Sequence, residues 1–295
     1  MINFEKTKIM ATASLSGAVT WVVGGIGLMG RGICHALLRS GATVIVNSRS
    51  IDRLDILSEE LGHPDKLMKL HASMMPGDAK QTVATVMERM GGKIDHVVAH
   101  SAVRWWASDA GDDGAMANEL STPTVRLLDV SPAAFSAAGS TAANLHFAAA
   151  HFLIPRISEG GSYTFVTGGG SEGVRWGKTG EFRSPRGPLA QINAHGVFGL
   201  CAALREDLES SASPIRSQEL RIGLRLNRPQ SERRTDPRDT PMSIDIGTIC
   251  AGIAARRDLG HLGLLAAATP EDIRALKARF PVEMIGYTVN PPFML

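Results

Sequence analysis

The chain has 295 residues, 44% of them hydrophobic, and a formal net charge of +2. That length and apolar content suffice for one large α/β core, and so small a charge gives no argument for a nucleic-acid partner. Its three cysteines, Cys34, Cys201 and Cys250, have no metal-ligand spacing and fit a reduced, cytoplasmic setting.

Residues 1–17 read as a loose arm with no apolar leader core; a short transit peptide stays open, and no stretch of the chain approaches a membrane span. Ala18–Val23 is a short apolar run and a predicted strand. It ends in Gly24, Gly25, Gly27 and Gly30, the last three spaced G-x-G-x-x-G. From Arg31, apolar Ile33, Ala36 and Leu37 recur at helical spacing until Gly41 stops them, and Thr43–Val46 is a second predicted strand. A glycine turn between strand and helix lets the backbone approach a pyrophosphate and aims the helix N-terminus at it. The plainer alternative is a tight turn that binds nothing. At the second strand's end, Asn47-Ser48-Arg49 lacks the acidic residue that bonds the ribose of NAD. Arg49 instead suits the 2′-phosphate of NADP, although a solvated arginine at a strand exit would look the same.

Further along, the spacing predicts a helix over Ile51–Leu61, a strand over Leu67–His71, a helix over Asp78–Met90 and a strand over Ile94–Ala99. Residues 101–130 are irregular and contain Trp105-Trp106. Ser131 and Pro132 fit N-cap and N1 of one long helix reaching about Leu153. A strand at Ser162–Thr167 follows, then a long loop over Gly168–Gly187, a helix over Pro188–Leu208 and a strand over Leu220–Leu226. Residues 228–241 form a polar, proline-punctuated, lid-like insertion. Ile244–Ala255 reads as a helix and His261–Ala266 as the last strand. Thr269-Pro270-Glu271-Asp272 caps a helix to Phe280, and 281–295 is a tail whose end, Tyr287–Leu295, is apolar and proline-broken and suits a neighbouring subunit, the pocket mouth or local packing. Strands alternating with helices imply a single-domain, Rossmann-like doubly wound parallel sheet of about seven strands, with helices on both faces, over residues 18–280.

The order of elements and the motifs GGIGLMGRGI, VIVNSR, DHVVAHSA, GGSYTFVTGG and the helix Ala190–Leu208 resemble the short-chain dehydrogenase/reductase family over roughly residues 15–270. The resemblance implies a nicotinamide cofactor held by Gly24, Gly25, Gly27, Leu28, Met29, Gly30, Ser48, Arg49, Ala99, His100 and Ser101. It also implies a homodimer or homotetramer built on the two long helices, acting on a small-molecule substrate. The chemistry departs from the family. Leu28 stands where the middle glycine of the turn falls, and the catalytic serine falls near Gly168, with Thr167 and Ser171 the nearest hydroxyls. The Tyr and Lys positions fall on Gln191 and His195, while Asn144 is retained. Neither Tyr163 nor Tyr287 has a lysine four residues on, so no shift of alignment restores the pair. Gln191 cannot ionise and cannot be the acid; His195 has a titration range suited to relaying a proton. Helix packing is an equally good account of it.

Trp105 and Trp106 suit a stacking wall for a ring-containing substrate, with core packing the alternative. No histidine–acid spacing suggests a metal. The expectation is an atypical NADP(H)-dependent oxidoreductase. A non-redox enzyme for cyclisation or isomerisation and a non-catalytic NADP-binding protein stand beside it.

Overall fold

A computed structural model describes residues 13–100, 126–138, 140–168, 175–176, 182–183, 188–224, 226 and 241–285. Seven parallel strands form one sheet: β1 (Val19–Val23), β2 (Thr43–Ser48), β3 (Leu67–His71), β4 (Ile94–His100), β5 (Ile157–Gly168), β8 (Arg216–Ile222) and β9 (Gly263–Ala267), in the order β3-β2-β1-β4-β5-β8-β9. The order reverses at β1, which pairs with β2 on one side and β4 on the other, placing Val23 beside Ala99. The crevice of a doubly wound fold therefore opens at the carboxyl ends of β1 and β4.

The helices are α1 (Leu28–Arg39), α2 (Ile51–Glu60), α3 (Ala79–Arg89), α4 (Pro132–Ala138), α5 (Thr141–Leu153), α6 (Pro188–Ser210), α7 (Ser243–Ala255) and α8 (Pro270–Arg279). Their apolar stripes bury against opposite faces of the sheet. One core joins Ile33, Leu37, Leu54, Leu57, Ile246, Ile249 and Ile273 of α1, α2, α7 and α8 to Val22, Val98 and Val166. The other joins Val83, Ala149, Leu153, Val197 and Cys201 of α3, α5 and α6 to Trp21, Val97 and Phe165. Burial on both faces is why β1 reads as a continuous apolar run.

Helices α1 and α7 cross with Gly32 and Gly247 at their contact. A Cβ on Gly247 would strike the Gly32 carbonyl oxygen and come within 2.8 Å of Ile33 Cα, and one on Gly32 would strike Ser243. The two ends of the described chain meet beneath α1. Ala13 bridges Val282, the Glu283 N–H donates to the Ala13 carbonyl (2.8 Å), and Leu15, from the stretch read as an arm, is buried. The Ile285 N–H donates to the Arg39 carbonyl (2.6 Å), so residues 281–285 pack locally.

Four sequence expectations need correction. The long helix from Ser131 is interrupted between Ala138 and Thr141. The Ser140 side chain does not cap α5; the Ala142 N–H is satisfied by Asn193 Oδ1 of α6 at 3.0 Å. The strand expected at Leu220–Leu226 runs over Arg216–Ile222, Gln218 and Glu219 finding partners on β5 and Arg216 at the end of α7. The stretch read as loop over Gly168–Gly187 contains an antiparallel pair, β6 (Arg175–Trp176) with β7 (Phe182–Arg183). Helix α1 starts at Leu28, three residues before the expected Arg31. The capping box of α8 forms as read: Thr269 Oγ1 accepts from the Asp272 N–H and Asp272 Oδ2 from the Thr269 N–H.

Candidate functional site

The turn between β1 and α1 is held by backbone packing. Gly24 sits at φ +86°, a conformation glycine adopts without strain. A Cβ at Gly30 would strike the Gly24 carbonyl oxygen and lie 2.5 Å from Gly25 Cα, and one at Gly25 would lie 2.8 Å from Val46. Gly27 is the N-cap of α1; no side chain caps it, and no acidic residue occupies the first turn. Leu28, Met29 and Gly30 thus begin a helix whose leading N–H groups and positive dipole end have no anionic side chain nearby in sequence. Leu28 is exposed. Arg31 braces the turn: its Nε donates to the Ile26 carbonyl (3.1 Å) and its guanidinium pairs with Glu60 of α2 at 2.5 Å.

At the neighbouring strand end, Asn47 is structural, since its Oδ1 accepts from the buried Trp21 indole at 3.0 Å. Ser48 Oγ accepts from the Ser50 N–H (3.0 Å) and shapes the exit. Arg49 is exposed, and its side chain makes no ion pair among the described residues; its carbonyl bonds His71 Nε2. Ala99 is buried at the end of β4. His100 follows it with Nδ1 buried and unpartnered among the described residues, and burial pushes this imidazole down to about 4. Nearby His146 of α5 packs on Phe165 (5.9 Å between centroids) and is also pushed down to about 4, by burial and then by His100.

Gln191 and His195 lie one turn apart on α6 and are joined, His195 Nδ1 lying 2.8 Å from the Gln191 carbonyl oxygen. That oxygen can only accept, so Nδ1 carries the proton. Asn144 is exposed, and its amide donates to Ser140 Oγ (3.2 Å), so no bond joins it to Gln191 or His195. Tyr163 is buried in the core with its hydroxyl unpartnered among the described residues and its ring centroid 4.7 Å from that of Phe165, and burial raises it well above the usual phenol range. It cannot replace the missing acid. Ser101, Trp105, Trp106, Ser171 and residues 228–240 lie outside the described residues.

The sequence reading missed a polar set at the carboxyl ends of β5 and β8. Thr167 Oγ1 donates to Glu219 Oε1 at 2.5 Å. Arg221 grips the same carboxylate with Nε at 2.7 Å and Nη2 at 2.8 Å. The Arg221 guanidinium carbon lies 3.7 Å from the centroid of Phe198 on α6, and the Phe198 ring meets the His195 ring edge-on at 5.5 Å. A Glu-x-Arg pair two residues apart on a strand shares one face, and that spacing was the available signal. Gly168, where a serine would fall, is at φ +145°, and a Cβ there would lie 2.5 Å from the Ile222 carbonyl oxygen. No serine fits this backbone without a shift. Among the described residues no cluster of three or more histidine, cysteine or acidic side chains suits a metal, and no helix is long and apolar enough to cross a membrane.

No protein-family model matches the chain, and no curated protein matches it by sequence. Solved structures do. A dehydrogenase/reductase from Sinorhizobium meliloti 1021 is similar at 17% identity over 87% of this chain and 96% of that one, TM-score 0.62. A short-chain dehydrogenase/reductase of the glucose/ribitol dehydrogenase type from Brucella melitensis is similar at 15% identity over 87% and 98%, TM-score 0.60. A 3-ketoacyl-(acyl-carrier-protein) reductase from Brucella melitensis, solved with NADH, is similar at 17% identity over 86% and 100%, TM-score 0.60. The chain has the short-chain dehydrogenase/reductase fold.

Proposed function

We propose that this chain is a divergent short-chain dehydrogenase/reductase that binds NADP(H) and acts as an oxidoreductase on a small, ring-containing organic substrate. One observation carries the reading. The β1–α1 turn is packed so closely at Gly25 and Gly30 that it presents backbone alone, below a helix start with neither side-chain cap nor acidic residue. That is the cradle a pyrophosphate requires. The backbone of Gly24 to Gly30 would hold the pyrophosphate, Ser48 and Arg49 the 2′-phosphate, and Ala99, His100 and Ser101 the nicotinamide half. When bound, the nicotinamide supplies or accepts hydride.

The rest of the chemistry falls to this chain's residues. With Tyr163 sealed in the core, a ketone reduction has no phenol to complete it among the described residues, and the absence of a general acid costs about 10² to 10⁴ in rate. Substrates whose reduction is driven by their own charge or polarisation, such as iminium ions and activated alkenes, fit this site best. His195, its Nδ1–H bonded to the Gln191 carbonyl, and Gln191 would orient the ligand rather than protonate it. As in the expectation from sequence, α5 and α6 are the surfaces for a homodimer or homotetramer.

The test is calorimetric titration with NADPH and NADH, repeated on Arg49→Ala. We expect NADPH to bind more tightly than NADH and the variant to lose about tenfold in NADPH affinity, the scale of one bond to a charged group. Binding of neither nucleotide refutes the redox reading and leaves a fold reused for cyclisation or isomerisation.

A further inference from the structure

We propose that Thr167, backed by Glu219 and Arg221, is a hydrogen-bond acceptor for the substrate, so that the site selects ligands presenting an O–H or N–H donor over ligands presenting a carbonyl oxygen. The inference deepens the oxidoreductase reading and rests on it for the ligand's place beside β4 and β5.

The backbone decides where a hydroxyl can be. Gly168 excludes one, because its positive φ and the Ile222 carbonyl oxygen leave no room for a side chain. Thr167, one residue earlier, is paired in register with Arg221 at the carboxyl ends of their strands, where ligands bind in open α/β sheets. A threonine hydroxyl has one proton and two lone pairs. Here the proton is committed: Oγ1 is 2.5 Å from Glu219 Oε1, a distance typical of a hydroxyl donating to a charged oxygen. Glu219 is a carboxylate in this arrangement because both its oxygens accept from Arg221, and a guanidinium only donates.

The donor direction is locked from behind. Glu219 is buried, with a side chain only 3% exposed, which shields its oxygens from bulk water. Arg221 is pinned by its stack on Phe198. Rotating the Thr167 hydroxyl toward a ligand would take one of two donors from Glu219 Oε1, leaving it the Arg221 Nε–H alone, and would exchange a bond to a charged oxygen for an ordinary one. Thr167 is itself largely buried, and what it keeps for a ligand placed beside it is a lone pair. An alcohol, ammonium or protonated imine donates to it, whereas a carbonyl oxygen meets it lone pair to lone pair. Sites built around a hydrogen-bond partner of one sense reject analogues lacking it far more strongly than apolar pockets reject a methylene. Glu219 and Arg221 act through Thr167 and are positioning residues.

The test uses the full chain carrying ¹³C at its glutamate side-chain carboxyl carbons, the Glu219 resonance being identified by its loss in Glu219→Gln. At pH 7 the expected signal is that of a carboxylate, displaced in Thr167→Val and restored in Thr167→Ser. The signal of a protonated carboxyl would reverse the hydrogen bond, free Thr167 to donate outward, and overturn the proposal. Cyclohexanol and cyclohexanone are then compared on the NADPH-loaded protein by ligand-observed NMR. The alcohol should bind at least about tenfold more tightly to the wild type and to Thr167→Ser, with the preference lost in Thr167→Val. Equal binding, preference for the ketone, or no binding of the alcohol overturns it. NADPH titration is read separately: a protein that binds no nucleotide loses the redox reading, while the glutamate spectrum still reports the direction of the Thr167–Glu219 bond.

Discussion

Acidification to pH 5.5 should remove about 4 kcal/mol of folding stability through three histidines. His96, fully buried on β4, is bonded at Nδ1 to Ser162 Oγ (3.0 Å) and has no partner at Nε2 among the described residues. Burial first, then the positive charges of Arg216 and Arg257, push it down to about 3. His100 and His146 are each pushed down to about 4. A histidine depressed in the native state binds its proton more readily when unfolded, so the stabilisation is present above about pH 6.5 and is lost as pH falls from there toward the native values. At pH 5.5 an unfolded imidazole is about nine-tenths protonated while all three native rings stay neutral. Integrating that difference gives ~1.4 kcal/mol per ring relative to pH 7.5, out of a total of about 5–15 kcal/mol for a typical protein. Urea unfolding at the two pH values measures it in the wild type and in His96→Val/His146→Leu. We expect the wild type to lose about 4 kcal/mol and the double variant, which keeps His100, to lose about 1.4 kcal/mol between the two conditions, following the same linkage. An unchanged wild-type stability, or an equal decline in the variant, would refute the reasoning.

Three further outcomes follow from the packing. Gly30→Ala places a methyl against the Gly24 carbonyl and Gly25 Cα, where only backbone can yield; a loss of about 3 kcal/mol is expected, at the upper end for overpacking, together with weakened NADPH binding by calorimetry. Gly168→Ser puts a hydroxyl where the resemblance to the short-chain dehydrogenase/reductase family implies one, yet it should destabilise by about 2–3 kcal/mol in urea unfolding and confer no ketoreductase activity. Asn193→Ala removes the side-chain acceptor at the start of α5 and should cost about 1 kcal/mol, read as a lower urea midpoint with an unchanged slope.

Much of the fold was legible because its signals were local. The glycine run after β1, the continuous apolar strands and the Thr269–Asp272 cap each follow from a few adjacent residues, and each stands where it was read. The β8 boundary was not legible for an opposite reason. Arg-Ser-Gln-Glu-Leu-Arg-Ile reads as solvated, yet Arg216, Ser217, Gln218 and Glu219 are all buried. Their partners lie far away in sequence: Arg216 reaches the Ile253 and Ala254 carbonyls at the end of α7, Gln218 bonds Thr164, and Glu219 bonds Thr167. Hydropathy cannot register a polar group satisfied from another strand. The break before α5 escaped for the same reason, since the cap that starts α5 belongs to Asn193 on a different helix. At the site, the turn residues Gly24 to Gly30 were readable from spacing. The Thr167–Glu219–Arg221 set required knowing which strands lie side by side.

The bare crossing of α1 and α7 bears on how this protein is made. Gly32 and Gly247 touch backbone to backbone, so the helix that begins at the glycine turn gets its closest support from residues translated some 215 positions later. At about 5–20 residues per second, a ribosome takes roughly 10–40 s to supply them. During that interval the first strand–turn–helix unit exists without the partner that covers its outer face, and Ile33 and Leu37 have nothing from α7 to pack on. The turn is among the earliest parts of the chain to be synthesised and among the last to be finished. A nascent chain halted before Ser243 should therefore bind NADPH weakly or not at all, however complete its glycine motif.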